Sequence, residues 1–320
     1  RRIFGGDGKH NAFTGIAAAY GEVFVAFRSG ASHMSLDGTV KIIASKDREA
    51  WRLAAEVRCP DRDLRDPKLT WFNEKLMLFF SGNRNHGEPL SFAVQSADGA
   101  AFGEPVRLRG IPEGQWLWHV RPQGGTLYGT AYTETDEQYG VALYASEDGW
   151  TWEKTGDFPV PGNEVYLDFD RDGVLYALLR DDRRGSIPAL CTAEPPYTQF
   201  RSVMRLPMRL KGPMLKRLEG GCAIICRQWD KPGARNLRTD LFWLEDDREI
   251  RRVATFPSGG DTSYAGWLDV AEGQAVVSYY SSHEHKMDEP HANDALFARD
   301  PAYAEHSTAA DIFLADVSYA

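Results

Sequence analysis

Ser45-Lys-Asp47-Arg-Glu-Ala-Trp51, Ser96-Ala-Asp98-Gly-Ala-Ala-Phe102 and Ser146-Glu-Asp148-Gly-Trp-Thr-Trp152 repeat one pattern, Ser-x-Asp-x-x-x-aromatic, with serines 51 and 50 residues apart. A fixed interval of this size marks a repeated supersecondary unit, and a β-rich repeat of about fifty residues points to a propeller. The pattern itself is a turn: Ser and Asp side chains bond nearby backbone groups while the aromatic ring packs between strands. We therefore read these turns as structural marks without a catalytic role.

Working outward from them, short runs rich in Val, Ile, Phe, Tyr and Trp are punctuated by Gly and Pro, and no long segment holds a helical period. The first unit predicts strands over 13–19, 22–28, 39–44 and 51–57. Its third-strand signal returns at Leu90–Gln95, Val141–Ala145, Ile187–Thr192, Asp240–Leu244 and Asp311–Ala315. The expectation is an all-β fold, a six-bladed β-propeller of four-stranded antiparallel blades, spanning 1–320 as one domain. The last unit stops after its third strand near Val317-Ser318, so Arg1-Arg-Ile-Phe4 is expected to supply the missing outer strand and hide the open edges. A polar insertion at about 283–310 is too long for a hairpin loop and reads as a lid or an oligomer contact.

Composition narrows the function. A net charge of −9 argues against nucleic-acid binding, which wants a basic footprint. No apolar run approaches membrane-spanning length and no signal peptide is visible, so no membrane partner is expected. The chain opens on Arg1-Arg2 without Met, which reads as a trimmed start. Cys59, Cys191, Cys222 and Cys226 lack zinc-ligand spacing and read as buried free thiols, leaning toward a reducing, cytoplasmic compartment. Phosphate loops, nucleotide fingerprints and Ser-His-Asp signatures are not evident, and no cofactor is expected.

In a propeller the first strands line the central channel, and the loops between second and third strands surround its mouth. Those places hold many polar residues. First strands or their approaches carry His10, Arg65-Asp66-Pro67, Trp116-Leu-Trp118-His119, Asn163-Glu164 and Asp261-Thr-Ser-Tyr264; second strands end in Arg28, Arg180, Arg227 and Ser278-Tyr-Tyr280-Ser-Ser-His283, with His33 and Arg238 beyond. Buried charges are avoided unless paired. One reading is a set of structural ion networks; the other is a site at the channel mouth.

Phe27-Arg-Ser-Gly30 with His33, Asp63-Leu-Arg-Asp66-Pro67, Asn163-Glu164 followed by Leu175-Tyr-Ala-Leu-Leu-Arg180, Arg238-Thr-Asp-Leu241 and Gly259-Gly-Asp-Thr-Ser-Tyr264 resemble the sialidase superfamily of six-bladed propellers, in particular bacterial sialidase-like, BNR-repeat proteins. The resemblance covers essentially the whole chain. It implies Tyr264 as nucleophile, Glu164 as the base that takes its proton, and Asp66 as a sugar-contacting aspartate. Arg180 and Arg238 match two of three arginines that clamp a substrate carboxylate through forked hydrogen bonds. The first arginine has no counterpart in His10-Asn-Ala-Phe-Thr-Gly15; Arg28 or Arg65 could reach in instead, with Arg227 a further candidate. The loop matching the family's acid/base aspartate is Ser29–Asp37, where His33 or Asp37 could serve.

A neutral phenol beside a base suits an anionic substrate that would repel a carboxylate nucleophile. The expected function is a retaining exo-glycoside hydrolase acting on a terminal acidic sugar. Its alternatives are a polysaccharide lyase acting on a uronate-containing glycan and a non-catalytic glycan-binding propeller. Asp261 and His283 are further candidates for substrate contact. Trp118 and His119 read equally as a sugar-stacking wall or a packed aromatic ladder. His283-Glu-His285 with His291 alternates as metal ligands do but supplies no clear further ligand, so no metal is expected.

Overall fold

The computed structural model describes the chain outside 85–86, 136–138, 184–186, 229–236, 247–248, 286–308 and 320. Among the described residues, strands form six four-stranded antiparallel sheets, and no helix is present. β1 (Arg2–Phe4) comes first in the chain and is used last. The first blade is β2 (His10–Ala19), β3 (Glu22–Gly30), β4 (Thr39–Ser45) and β5 (Arg52–Val57). The second is β6 (Asp63–Phe72), β7 (Lys75–Arg84), β8 (Gly87–Ser96) and β9 (Val106–Arg107). The third is β10 (Trp116–Gln123), β11 (Thr126–Glu134), β12 (Tyr139–Ser146) and β13 (Glu153–Asp157). The fourth is β14 (Val165–Phe169), β15 (Leu175–Leu179), β16 (Ala189–Ala193) and β17 (Arg201–Arg205). The fifth is β18 (Lys211–Leu218), β19 (Gly221–Gln228), β20 (Arg238–Glu245) and β21 (Ile250–Thr255). The sixth is β22 (Thr262–Ala271), β23 (Gln274–Ser281) and β24 (Asp311–Ser318), completed by β1.

Burial explains this order. Each blade is covered on both faces by its neighbours, so middle strands read as continuous apolar runs rather than alternating ones. β19, with Cys222-Ala-Ile-Ile-Cys226 at its centre, is buried at every position, whereas the outer β21 is mostly exposed. The innermost strands touch in a closed cycle, β2 to β6, β10, β14, β18, β22 and back to β2.

The Ser/Asp turns lie between third and fourth strands. Asp47 Oδ1 accepts the amides of Glu49 and Ala50, Asp98 Oδ1 those of Ala100 and Ala101, and Asp148 Oδ1 those of Trp150 and Thr151, all at 2.7–2.9 Å. Because third strands run between the two ends of a blade, these turns sit at the opposite end from the second-to-third-strand loops. They set blade geometry far from the channel mouth.

The ring closes through β1, which pairs antiparallel with β24 as the sequence predicted. Arg1 and Leu314 exchange two backbone bonds of 2.8 Å. Asp311, fully buried, accepts Arg2 Nη1 and the Gly6 amide, each at 3.0 Å. The insertion leaves the sheet after Ser281, turns through His285, and returns at Ala310, whose backbone bonds Lys9 and Asn11. Its span 286–308, with His291, lies outside the described residues, as do the lid and oligomer-contact readings placed on it. We expect Asp311→Ala to destabilise the protein by about 1–3 kcal/mol, because Arg2 and the Gly6 amide lose the buried carboxylate that accepts from both. A lowered urea midpoint with unchanged slope checks this; an unshifted midpoint would show the clasp to be dispensable.

Candidate active site

Five of the six innermost strands carry the same defect near the channel mouth. Pairing registers slip between Ala12 and Gly15 in β2, Arg65 and Lys68 in β6, Leu117 and His119 in β10, Lys211 and Met214 in β18, and Ser263 and Gly266 in β22. Four of these slips coincide with left-handed backbone, at Phe13 (φ 60°), Asp66 (49°), Gly212 (57°) and Ser263-Tyr264 (105° and 50°). Such bulges re-aim side chains, and left-handed non-glycine residues cost on the order of 1–3 kcal/mol each. Phe13, Asp66 and Tyr264 all line one cavity of about 840 Å³, together with Arg65, Trp116, Tyr132, Glu134, Glu164 and Asp182.

At the cavity floor Tyr264 Oη donates to Glu164 Oε1 at 2.7 Å. Arg180 Nη1 donates to Tyr264 Oη at 3.2 Å and pairs with Glu164 Oε2 at 2.5 Å, while its Nη2 pairs with Asp182. Glu164 and Arg180 are neighbours because they extend the β14–β15 pairing: the Asn163 amide bonds the Arg180 carbonyl, and the Arg180 amide bonds the Glu164 carbonyl. Burial, reinforced by the charge of Glu164, pushes the Tyr264 phenol well above its ordinary value of 10, and Arg180 and Arg227 pull the other way. The resting phenol therefore keeps its proton and offers it to Glu164.

Gly212 makes this contact possible. Its amide donates to Glu164 Oε2 at 3.3 Å, and a Cβ there would stand 2.7 Å from the Tyr264 ring. No sequence signal singled it out.

Behind Tyr264 lies a buried polar network centred on Asp261. One oxygen, Oδ1, accepts Arg227 Nη2 at 2.8 Å and Tyr280 Oη at 2.7 Å; the other, Oδ2, meets His10 Nε2 at 2.8 Å and His33 Nδ1 at 2.5 Å. Burial alone would raise the Asp261 carboxyl, but His33 and Arg227 hold it well below the usual carboxylate range. Burial pushes both histidines below their ordinary value. His10, His33 and Asp261 bring three potential metal-ligand atoms within 4.8 Å of one another, but each is engaged in these hydrogen bonds. The Arg227 guanidinium lies 5.6 Å from the Tyr264 ring centre, so the network supports the phenol from the core side.

The structure thus joins Tyr264, Glu164, Arg180, Asp66 and Arg65 at one cavity and directs the other candidates elsewhere. Arg28 is fully buried, bonding Asp63 at 2.6 Å and the carbonyls of Ser32 and Ser35, so it ties down the 31–38 loop. Asp37 is exposed and both its oxygens accept the Ala31 amide. Arg227 is committed to Asp261, Tyr280 and the Thr262 carbonyl; Arg238 bonds Asp240 away from the cavity wall. Trp118 is only 1% exposed, packed within the core against Tyr166 and Tyr264, and the tryptophan on the wall is Trp116. His119 stacks on Tyr166 and accepts the Leu167 amide. His283 packs on Phe313 and bonds Ser281. Besides Gly212, the sequence reading missed Asn83, Tyr132, Glu134 and Asp182, which come from strand ends and loops without a motif.

Fold and cavity together define a six-bladed propeller of sialidase-like architecture. No family model matches the chain, and no curated protein matches it. Among solved structures it is similar over its whole length to a protein of unknown function from Dyadobacter fermentans, at 15% identity, TM-score 0.75 and 97% coverage of that chain. It is also similar to Trypanosoma rangeli sialidase bound to the inhibitor DANA, at 12% identity and TM-score 0.65, covering 98% of this chain and 55% of that one. The same sialidase with 2,3-difluorosialic acid, a covalent intermediate, matches at 13% identity and TM-score 0.64. The chain spans about half the length of these sialidases. At such identities the likeness shows a shared fold.

Gly212→Ala should destabilise the protein by about 1–3 kcal/mol through its left-handed backbone and push the Tyr264 ring aside. Chemical denaturation measures the first effect and near-ultraviolet circular dichroism the second. An unchanged aromatic spectrum would mean that Gly212 does not hold the ring in place.

Proposed function

We propose that the protein is a retaining exo-glycoside hydrolase that removes a terminal acidic sugar. The observation that carries this reading is the hydrogen bond from Tyr264 Oη to Glu164 Oε1, braced by Arg180 at the floor of the cavity. A buried phenol with a carboxylate in contact and an arginine on the same oxygen is an activated nucleophile in waiting. Support also comes from the fold, since a sialidase of this architecture is known as a covalent intermediate.

In the first half-reaction Tyr264 Oη attacks the anomeric carbon and passes its proton to Glu164. The glycosidic carbon–oxygen bond breaks, its electron pair stays with the leaving oxygen, and that oxygen takes a proton from an acid on the cavity wall. In the second half water attacks the same carbon and gives a proton to the wall acid deprotonated in the first half, while Tyr264 departs and recovers its proton from Glu164, so the configuration is retained. Arg65, over the Phe13 ring, and Arg183 line the cavity, and Arg180 touches the reacting oxygen; in this reading Arg65 and Arg180 meet the substrate carboxylate.

Glu164→Gln should lower kcat by about 10²–10⁴-fold, and Tyr264→Phe should abolish formation of a glycosyl-enzyme. A 2,3-difluorosialic acid probe should add its glycosyl mass to Tyr264 in the wild type, read by peptide mass spectrometry. Proton NMR of the first-released anomer gives an independent check. Inversion at the anomeric carbon, or full activity of Tyr264→Phe, would reject the mechanism.

A further inference from the structure

We propose that Asp66 is the acid that protonates the departing glycosidic oxygen, a role that rests on the hydrolase reading above. The two acids suggested by the loop pattern are turned away: Asp37 caps its own loop, and His33 is bonded to Asp261. Neither lines the cavity, whereas Asp66 does, alongside Tyr264 and Glu164.

Three features of Asp66 suit proton donation. It sits on the left-handed bulge of β6, which aims it inward. It is only 4% exposed, so its charged form is poorly solvated. Its buried Oδ1 has no hydrogen-bond partner. An ionised buried carboxylate with an unpaired oxygen is costly, while a protonated carboxyl carries a hydrogen ready for an incoming acceptor.

The charged and titratable groups around it are Arg65 and Lys68 from its own strand, Glu164 and Arg180 from the fourth blade, Tyr132 from β11 and Tyr264 from β22. Burial is the main cause of its shift; Lys68, Arg65 and Arg180 oppose it and Glu164 adds to it, leaving the carboxyl raised from 3.8 to about 6. The acid is thus loaded below that pH and spent above it. In the reaction the Asp66 O–H proton moves to the glycosidic oxygen as the carbon–oxygen bond breaks. The resulting carboxylate then takes a proton from the attacking water, which restores the acid.

The test compares wild type and Asp66→Asn on two glycosides of N-acetylneuraminic acid, the methyl and the 4-nitrophenyl. Proton donation matters for a methoxide leaving group and little for nitrophenolate. Asp66→Asn should therefore lower kcat by at least about 10²-fold on the methyl glycoside and by less than about tenfold on the aryl one. The alkaline limb of kcat/KM on the methyl glycoside should disappear with it. Equal losses on both glycosides, or an unchanged alkaline limb, overturn the assignment. A second measurement needs no turnover: the carbon-13 carboxyl resonance missing from Asp66→Asn should titrate near 6 in the free wild-type protein. Titration at the ordinary aspartate value overturns the proton-donor role and leaves the hydrolase reading standing. Absence of turnover by the wild type on these and on 4-nitrophenyl glycosides of a panel of other acidic sugars defeats the hydrolase reading and the role with it.

Discussion

Every blade has two apolar faces, and a sheet apolar on both faces is stable only between two others. That requirement closes the ring: β19 is buried along its whole length because its sheet is sandwiched, and the cycle from β2 to β22 leaves no face uncovered. The sixth blade would still present an open edge at β24, and β1 covers it. Once the ring is closed, six innermost strands converge on one axis. Convergence of strands from distant parts of the chain is what brings Glu164 to Tyr264 across 100 positions of sequence.

Convergence alone would fill the axis with alternating strand side chains. The bulges change this by turning Phe13, Asp66 and Tyr264 out of alternation and toward the cavity, while Gly212 lets the tyrosine ring lie against backbone. The strain in these left-handed residues is held by the rest of each blade, whose remaining register is regular. Strain at a site is sustainable only where the surroundings over-determine it. The Asp261 network does this for Tyr264: four donors or partners on one carboxylate fix the strand just before the bulge.

How much of this could be read from sequence follows from which forces leave local marks. The Ser/Asp turns do, because a side chain bonding amides two and three residues ahead needs fixed spacing, and they located the blades. Tyr264, Glu164 and Arg180 were named through the resemblance carried by Asn163-Glu164, Leu175–Arg180 and Gly259–Tyr264, and the structure brings these three side chains into contact. Arg28 and Arg227 were not separable from substrate arginines, since a buried ion pair and a ligand clamp ask for the same residue. Their partners, Asp63 and Asp261, come from other blades. Trp116 and Trp118 differ by one pleat, and only packing shows which ring reaches the wall. Gly212 was silent because its role is to lack a side chain opposite a ring 52 residues away.

The cavity wall places six carboxyl groups, Asp63, Asp66, Glu88, Glu134, Glu164 and Asp182, beside two arginines, Arg65 and Arg183. Carboxyls this crowded must be told apart by their partners. Glu164 has the Arg180 guanidinium at 2.5 Å and the Gly212 amide at its side, so it is furnished as a proton acceptor. Asp66 has burial and an unpaired oxygen, and so is furnished to hold a proton. The proposed double displacement calls for two groups of one chemical kind set apart by environment: one to take a proton as the nucleophile attacks, the other to give one as the leaving group departs. Asp63, bonded to Arg28 and Arg65 together, belongs to neither role; it fixes the arginine that faces the cavity.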